Sequence, residues 1–182
     1  MTGSRDIARD VVLERFAWVD GHADIWPIFR DGAAFRTIIE ALAQPYAAEG
    51  ITAVCGIESR GFLLGGAVAV RLGTGFVPIR KAAGIFPGPK IRRTAAPDYL
   101  GNSHELRMQL SALGPADRVL LVDDWIETGS QASAARQMVI ARSAHLVGCS
   151  VIVDQMTDQV RADIGRVHAI VTAGDLPSDE GG

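Results

Sequence analysis

What this chain lacks narrows its function first. It contains no G-x-x-x-x-G-K-[ST] run, which argues against a P-loop nucleotide hydrolase. It has no G-x-G-x-x-G either, which counts against a dinucleotide fold. No apolar stretch approaches the ~20 residues needed to span a bilayer, so no membrane association is expected. The N-terminus has no apolar core of a secretory leader, and a cytoplasmic location is the expectation. Basic residues are not in excess: 18 Lys and Arg stand against 21 Asp and Glu. The resulting charge of −3 leaves no electrostatic footprint for nucleic acid. Cysteine is scarce. Cys55 and Cys149 both lie in apolar, strand-like runs and read as free buried thiols of a reducing compartment. There is no internal repeat and no low-complexity linker.

What is present describes a globular α/β chain. With 48% hydrophobic and 21% charged residues, its 182 residues suffice for one domain, 1–182, with a substantial core. Helices are predicted near 4–18, where Ile7, Val11, Val12 and Arg15 recur at helical period, and near 33–49, 61–72 and 129–143. Strands are predicted near 51–57, 75–79, 104–110, 118–123, 146–153 and 167–172. This alternation, with short connections, predicts a doubly wound, mainly parallel sheet flanked by helices. Residues 80–101 read as a long flexible loop rich in Gly, Pro and cations; a loop of that length in a compact domain is usually functional. The tail 173–182 is expected to fray.

The most informative stretch is Val119 to Ala135, VLLVDDWIETGSQASAA. Val119 to Val122 form the unbroken apolar run of a strand buried on both faces. Asp123 and Asp124 follow at its C-terminal end, where open α/β sheets place ligands. Thr128, Gly129 and Ser130 then form a turn whose amides can surround an anion. Gln131 onward is helix-forming, and its dipole adds positive potential there. Acceptors for ribose hydroxyls a few residues before a phosphate cradle suit a ribose 5-phosphate.

Two further stretches extend the pattern. Residues 53–81, AVCGIESRGFLLGGAVAVRLGTGFVPIRK, read as strand, G-I-E-x-R-G-F turn, helix, strand and P-x-R-K. Upstream, Asp24-Ile25-Trp26-Pro27-Ile28-Phe29 precedes Asp31-Gly32-Ala33-Ala34-Phe35-Arg36. The three motifs, in this order and spacing, resemble the type I phosphoribosyltransferases, and adenine phosphoribosyltransferases most of all. The similarity covers about residues 15–155.

That resemblance implies the type I phosphoribosyltransferase fold with a long active-site flap at residues 80–101, closing over phosphoribosyl diphosphate (PRPP) to exclude water. It implies Mg²⁺-dependent transfer of the phosphoribosyl group to a purine or purine-like base, with release of pyrophosphate. Asp123 and Asp124 would hold the ribose hydroxyls, and Thr128, Gly129, Ser130 and Gln131 the 5-phosphate. The turn Glu58-Ser59-Arg60, in the family often carrying a non-proline cis peptide, would hold pyrophosphate with Arg80, Lys81 and Lys90. Mg²⁺ would be held mainly by PRPP itself. Gly21, His22, Ala23, Asp24, Ile25 and Trp125 would surround the base, within an N-terminal recognition segment at about 15–35. Family members are commonly homodimers, with the 60–80 region near the partner.

Departures from the adenine pattern concern the base. The family's A-T-G-G-T loop reads Glu127-Thr128-Gly129-Ser130-Gln131 here. Hypoxanthine-guanine enzymes carry an aspartate at that place; Glu127 either faces the purine N7 side likewise or points to solvent. The aromatic and arginine of the family's recognition loop are replaced by His22 and Ala23, so His22 either meets the base or is an exposed loop residue. Asp98-Tyr99 stands about one residue out of register with the Glu-Tyr that supplies the family's catalytic glutamate. Trp125 is bulkier than the aliphatic residue usual there. Alternatives therefore remain: an enzyme for a base other than adenine, one running the reverse reaction or hydrolysing a nucleotide, or a non-catalytic PRPP-binding regulator.

Overall fold

The computed structural model describes residues 3–82, 86–97 and 103–178. Helix α1 (Ser4–Arg15) leads into a hairpin of β1 (Ala17–Val19) and β2 (His22–Asp24), followed by α2 (Trp26–Arg30) and α3 (Gly32–Ala43). Then come β3 (Ala53–Ile57), α4 (Arg60–Leu72), β4 (Gly75–Lys81), β5 (Lys90–Thr94) and β6 (Glu105–Gln109). The chain continues through β7 (Arg118–Ile126), α5 (Ser130–Ala141), β8 (His145–Asp154), α6 (Asp158–Ile164) and β9 (Val167–Thr172).

The main sheet has the order β5-β6-β4-β3-β7-β8-β9. The β3–β4, β3–β7, β7–β8 and β8–β9 pairs are parallel, whereas β6 runs antiparallel to both β4 and β5. The predicted doubly wound, mainly parallel sheet is therefore the one observed. Its central strands alternate between two cores. Cys55, Ile57, Val119 and Leu121 pack with Ala132, Ala135 and Met138 of α5. Val54, Leu120 and Val122 pack on the opposite side with Val12, Ile38, Leu42 and Leu64, from α1, α3 and α4. Cys55 and Cys149 are free and buried in these strands, and burial pushes the Cys55 thiol up to about 12.

Several boundaries differ from the sequence reading. The first helix ends at Arg15, because residues 17–24 form the β1–β2 hairpin. Asp20 and Gly21 make its two-residue turn, both at positive φ (50° and 71°), between paired Val19 and His22. That is the Asp-Gly hairpin signature, overlooked beneath the helical period. The helix predicted over 33–49 closes at Ala43, and Pro45 continues the chain in a single 3₁₀ turn. The predicted loop 80–101 contains β5, an edge strand whose Ile91 packs on the core while Lys90, Arg92 and Arg93 flank it. Charged edge strands are common because they resist pairing with other chains. Helix α6 was not anticipated at all.

The described part of the tail makes defined contacts. Thr172 and Asp175 form a capping box, Arg9 Nη2 pairs with Asp175 Oδ1 at 3.1 Å, and Trp18 Nε1 donates to Pro177 O at 2.8 Å.

The Asp31 motif residue caps α3. Its carboxylate accepts from Ala33 N (2.8 Å) and Ala34 N (3.1 Å), and Arg15 Nη2 lies 2.8 Å away. These donors, the Ala34 amide foremost, lower its pKa from 3.8 to about 2. A carboxyl depressed in the folded state stabilises above its unfolded value, and the contribution fades as pH falls through the folded one. Asp31→Ala should accordingly lower the urea midpoint at neutral pH, with the gap to wild type closing between pH 3.8 and about 2. A gap independent of pH in that range would contradict the assigned role.

Candidate active site

Two turns at the C-terminal ends of the adjacent parallel strands β3 and β7 build the site. The first runs from Ile57 through Glu58 and Ser59 into α4, and its Glu58–Ser59 peptide is cis, as the family resemblance implied. Glycine is needed where this turn folds back on the sheet. A Cβ on Gly56 would overlap the Gly61 carbonyl oxygen, and a Cβ on Gly61 would lie 2.9 Å from Asp123 Oδ1. Those contacts seat the first turn of α4, with its unpaired amides, beside the acidic end of β7.

Glu58 itself turns to a neighbour. Its Oε1 lies 2.9 Å from Arg80 Nη2, and its Oε2 accepts from Lys81 N at 3.0 Å. The Arg80 guanidinium and the Lys81 amide hold its carboxyl below the usual range. Glu58 thus fixes the end of β4 and presents Lys81 to the cavity, as a carboxylate suited to holding cations rather than an anion.

The second turn runs from β7 through residues 127–129 into α5. Gly129 sits at φ 73°, and a Cβ there would overlap Val160 of α6. Thr128 Oγ1 and Ser130 Oγ are 3.1 Å apart, and Thr128 Oγ1 also accepts from Ser130 N at 3.4 Å where α5 opens. Helix α6 buttresses this turn, held by the ion pair of half-exposed Arg161 with buried Asp154 and by the Asp154 Oδ1 bond from Met156 N (2.9 Å).

Between the turns lie the two aspartates. Asp123 is densely surrounded by protein. Desolvation first, and the neighbouring Asp124 charge second, push its carboxyl well above the ordinary range, with Lys81 opposing. Asp124 is 7% exposed, and Arg60 Nε stands 3.0 Å from its Oδ2. That oxygen nevertheless accepts no aligned hydrogen bond among the described residues. Asp124 lines the cavity, but the Arg60 guanidinium covers this oxygen, so a ligand hydroxyl would bond to it in place of that cation.

The cavity has a volume of about 520 Å³, within the range of small-molecule sites. Glu58, Ser59, Arg60 and Lys81 line it from the first turn; Asp123, Asp124, Trp125 and Glu127 to Gln131 line it from the second. Gly21, His22 and Ala23 reach it from the hairpin. Most of the sequence-predicted residues therefore converge. Arg80 stands behind Glu58, and Lys90 belongs to the β5 edge; neither lines the cavity. Asp24 and Ile25 are also outside it: Asp24 Oδ1 caps α2 through Trp26 N at 2.9 Å, and Ile25 is fully buried in the core. Asp98 lies outside the described residues.

Six lining residues were not among the predicted site residues: the apolar Ile57, Leu121, Ile126 and Ala132, and, at the hairpin side, Trp18 and Gln155. Trp18 was hidden because the first helix was expected to run to residue 18, into β1. Gln155 directly follows a buried strand, the one signal that marked it, since polar residues at strand C-termini face the ligand edge. Phe16 links the aromatics here, with ring centroids 5.3 Å from Trp18 and 6.4 Å from Trp125.

Paired carboxylates between two helix-opening turns at the C-terminal edge of an open α/β sheet are the kind of arrangement in which such sheets bind phosphorylated ligands. The chain belongs to the phosphoribosyl transferase family, whose model, described as a phosphoribosyl transferase domain, matches residues 28–171. It is 40% identical over 161 residues to the adenine phosphoribosyltransferase of Streptomyces clavuligerus, covering 85% of this chain and 87% of that one. The crystal structure of the adenine phosphoribosyltransferase of Rhodothermus marinus superposes with a TM-score of 0.81 at 32% identity, covering 91% of this chain and 98% of that one. The adenine phosphoribosyl transferase of Trypanosoma brucei, solved with AMP, pyrophosphate and ribose-5-phosphate, gives a TM-score of 0.80 at 27% identity, covering 95% and 82% respectively.

Asp123 supplies a test of the electrostatics. Its raised folded pKa means that stability is lost as pH rises from 3.8 toward the folded value. Asp123→Asn removes that penalty, so the variant should melt above wild type at neutral pH, by about 2–4 °C for each kcal/mol relieved. The advantage should vanish below the unfolded pKa. A variant that melts lower at neutral pH would contradict the account.

Proposed function

We propose that the protein is an adenine phosphoribosyltransferase: it transfers the 5-phosphoribosyl group of PRPP to adenine, forming AMP and releasing pyrophosphate. The observation that carries this reading is the Asp123–Asp124 pair lining one cavity between two helix-opening turns, in a chain 40% identical to an adenine phosphoribosyltransferase. A pentosyltransferase needs separate holds on a 5-phosphate, a ribose and a leaving pyrophosphate, and three such groups of residues line one cavity.

In the proposed mechanism the amides and hydroxyls of Thr128 to Gln131 anchor the 5-phosphate. This remote anchor orients ribose C1. Asp124 Oδ2, and Asp123 when ionised, accept from the ribose hydroxyls. The C1–O bond to pyrophosphate breaks with its electron pair leaving on the pyrophosphate, and a ring nitrogen of the base forms the new bond to C1 while the base gives up its N–H proton to the departing pyrophosphate or to solvent. Negative charge from the aspartates faces the cationic ring between those events. Arg60, Lys81 and the amides opening α4 receive the growing charge of pyrophosphate. Glu58 acts as the support that aligns Arg80 and Lys81.

Magnesium suits this donor set. Mg²⁺ binds through one or two carboxylates plus substrate phosphates and keeps several waters. Asp123 and Asp124 are the hard oxygen donors beside the cavity, and PRPP would supply the remainder. When bound, the ion would neutralise charge on the leaving pyrophosphate.

We place the enzyme in the cytoplasm, which its two buried free thiols favour. A homodimer is proposed through α4, where Leu63 (48% exposed) and Val70 (82% exposed) recur two turns apart on one face.

Pyrophosphate release measured with PRPP, Mg²⁺ and adenine should show turnover in wild type. Asp124→Asn, which removes charge without volume, should lower kcat on the order of 100-fold with the fold intact. Wild type silent with adenine would overturn the reading, and unchanged turnover in the variant would remove Asp124 from it.

A further inference from the structure

The base end of the cavity contains an oriented amide. The indole of Trp125 has a single polar atom, a donor, and it donates to Gln155 Oε1 at 2.8 Å. A terminal amide has an oxygen end and an NH₂ end, and a donor-only partner decides which end faces it. The NH₂ end of Gln155 is then left to donate, and it has no other partner among the described residues. The backbone at this position is fixed on both sides. Gln155 N donates to Ile126 O at 2.8 Å, and the preceding Asp154 is locked by Arg161 and Met156. Trp125 in turn packs near Phe16, which meets Trp18 edge-on. Gln155, Trp125, Trp18 and His22 all line the one cavity.

We infer that Gln155 is a specificity-determining residue for the acceptor base. Its Nε2 donates to a hydrogen-bond acceptor on the base, a ring nitrogen or an exocyclic oxygen, and Trp125 is the positioning residue that fixes the amide. This inference rests on the phosphoribosyl transfer proposed above. A purine offers acceptors at N1, N3 and N7. A side chain with only its donor free rewards an acceptor and leaves an unpaired group when that acceptor is missing. Without the Trp125 N–H the amide is free to rotate and to present its oxygen, so the same residue would then accept a donor as readily.

The test is kcat/KM for adenine, its 1-deaza, 3-deaza and 7-deaza analogues, and hypoxanthine, with the KM for PRPP measured alongside. Wild type should lose about 10-fold or more on one of the three deaza analogues. Gln155→Glu keeps an acceptor for Trp125 but removes the donor, and Gln155→Leu removes both. Each should lose about 10-fold on adenine, flatten the difference for that analogue and leave the KM for PRPP unchanged. Trp125→Phe keeps an aromatic ring without the N–H and should narrow the preference between adenine and hypoxanthine. Gln155 is exposed, so its substitutions leave the core untouched. A deaza profile identical in wild type and both Gln155 variants overturns the assignment while leaving the transferase reading in place. So does an equal loss in PRPP and base parameters. A wild type that turns over none of these bases overturns the transferase reading and the inference with it.

Discussion

The whole site depends on how closely α4 approaches the sheet. Helix and strand usually stand apart by the depth of their side chains, yet here the backbone of Gly61 rests on that of Gly56 with no Cβ between them. The same Gly61 abuts the Asp123 carboxylate. Three consequences follow from this single contact. The first turn of α4 is brought level with the end of β7, Ser59 and Arg60 reach the cavity, and Asp123 is desolvated on the side that Gly61 covers. A methyl group at either glycine would push the helix outward and separate the two turns that line the cavity.

That proximity sets the electrostatics. An aspartate pushed well above its ordinary range beside a second, buried aspartate is unfavourable for folding, and such arrangements concentrate where a ligand later satisfies them. The neighbouring cations are arranged to compensate only in part. Arg60 stands against Asp124 without an aligned hydrogen bond, whereas Arg80 is committed to Glu58. Arg60 therefore remains able to exchange a carboxylate for a phosphate oxygen, while Arg80 serves the scaffold. Elsewhere charge is used conventionally: Asp31 caps a helix, and Asp154 with Arg161 ties α6 beneath the phosphate turn.

Much of this was legible in the sequence because it is written in short contiguous runs. The apolar stretch 119–122 followed by Asp123-Asp124 and a Gly/Ser turn names a buried strand, its ligand edge and an anion cradle in one pass. What was lost had two physical causes. Local period misled where tertiary pairing decides: the helical spacing of Ile7 to Arg15 was carried to residue 18, into the first strand of the hairpin that turns at Asp20-Gly21, and the cations of 90–93 concealed an edge strand that exists only because β6 pairs with it. Side-chain direction is the other cause. Glu58, Asp24 and Ile25 sit in the right motifs, but Glu58 serves Arg80, Asp24 caps α2 and Ile25 enters the core. Gln155 belongs to no motif and reaches the site only through the parallel pairing of β8 with β7.

The central claim is that these two turns form one binding site for PRPP, and calorimetric titration of PRPP with Mg²⁺ tests it most directly. Wild type should bind a single PRPP per chain. Gly129→Ala, which forces a Cβ into Val160 at a positive φ and so displaces the phosphate turn, should abolish the heat of binding while the sheet still melts cooperatively. Full-strength binding by that variant, or no binding by wild type, would contradict the account.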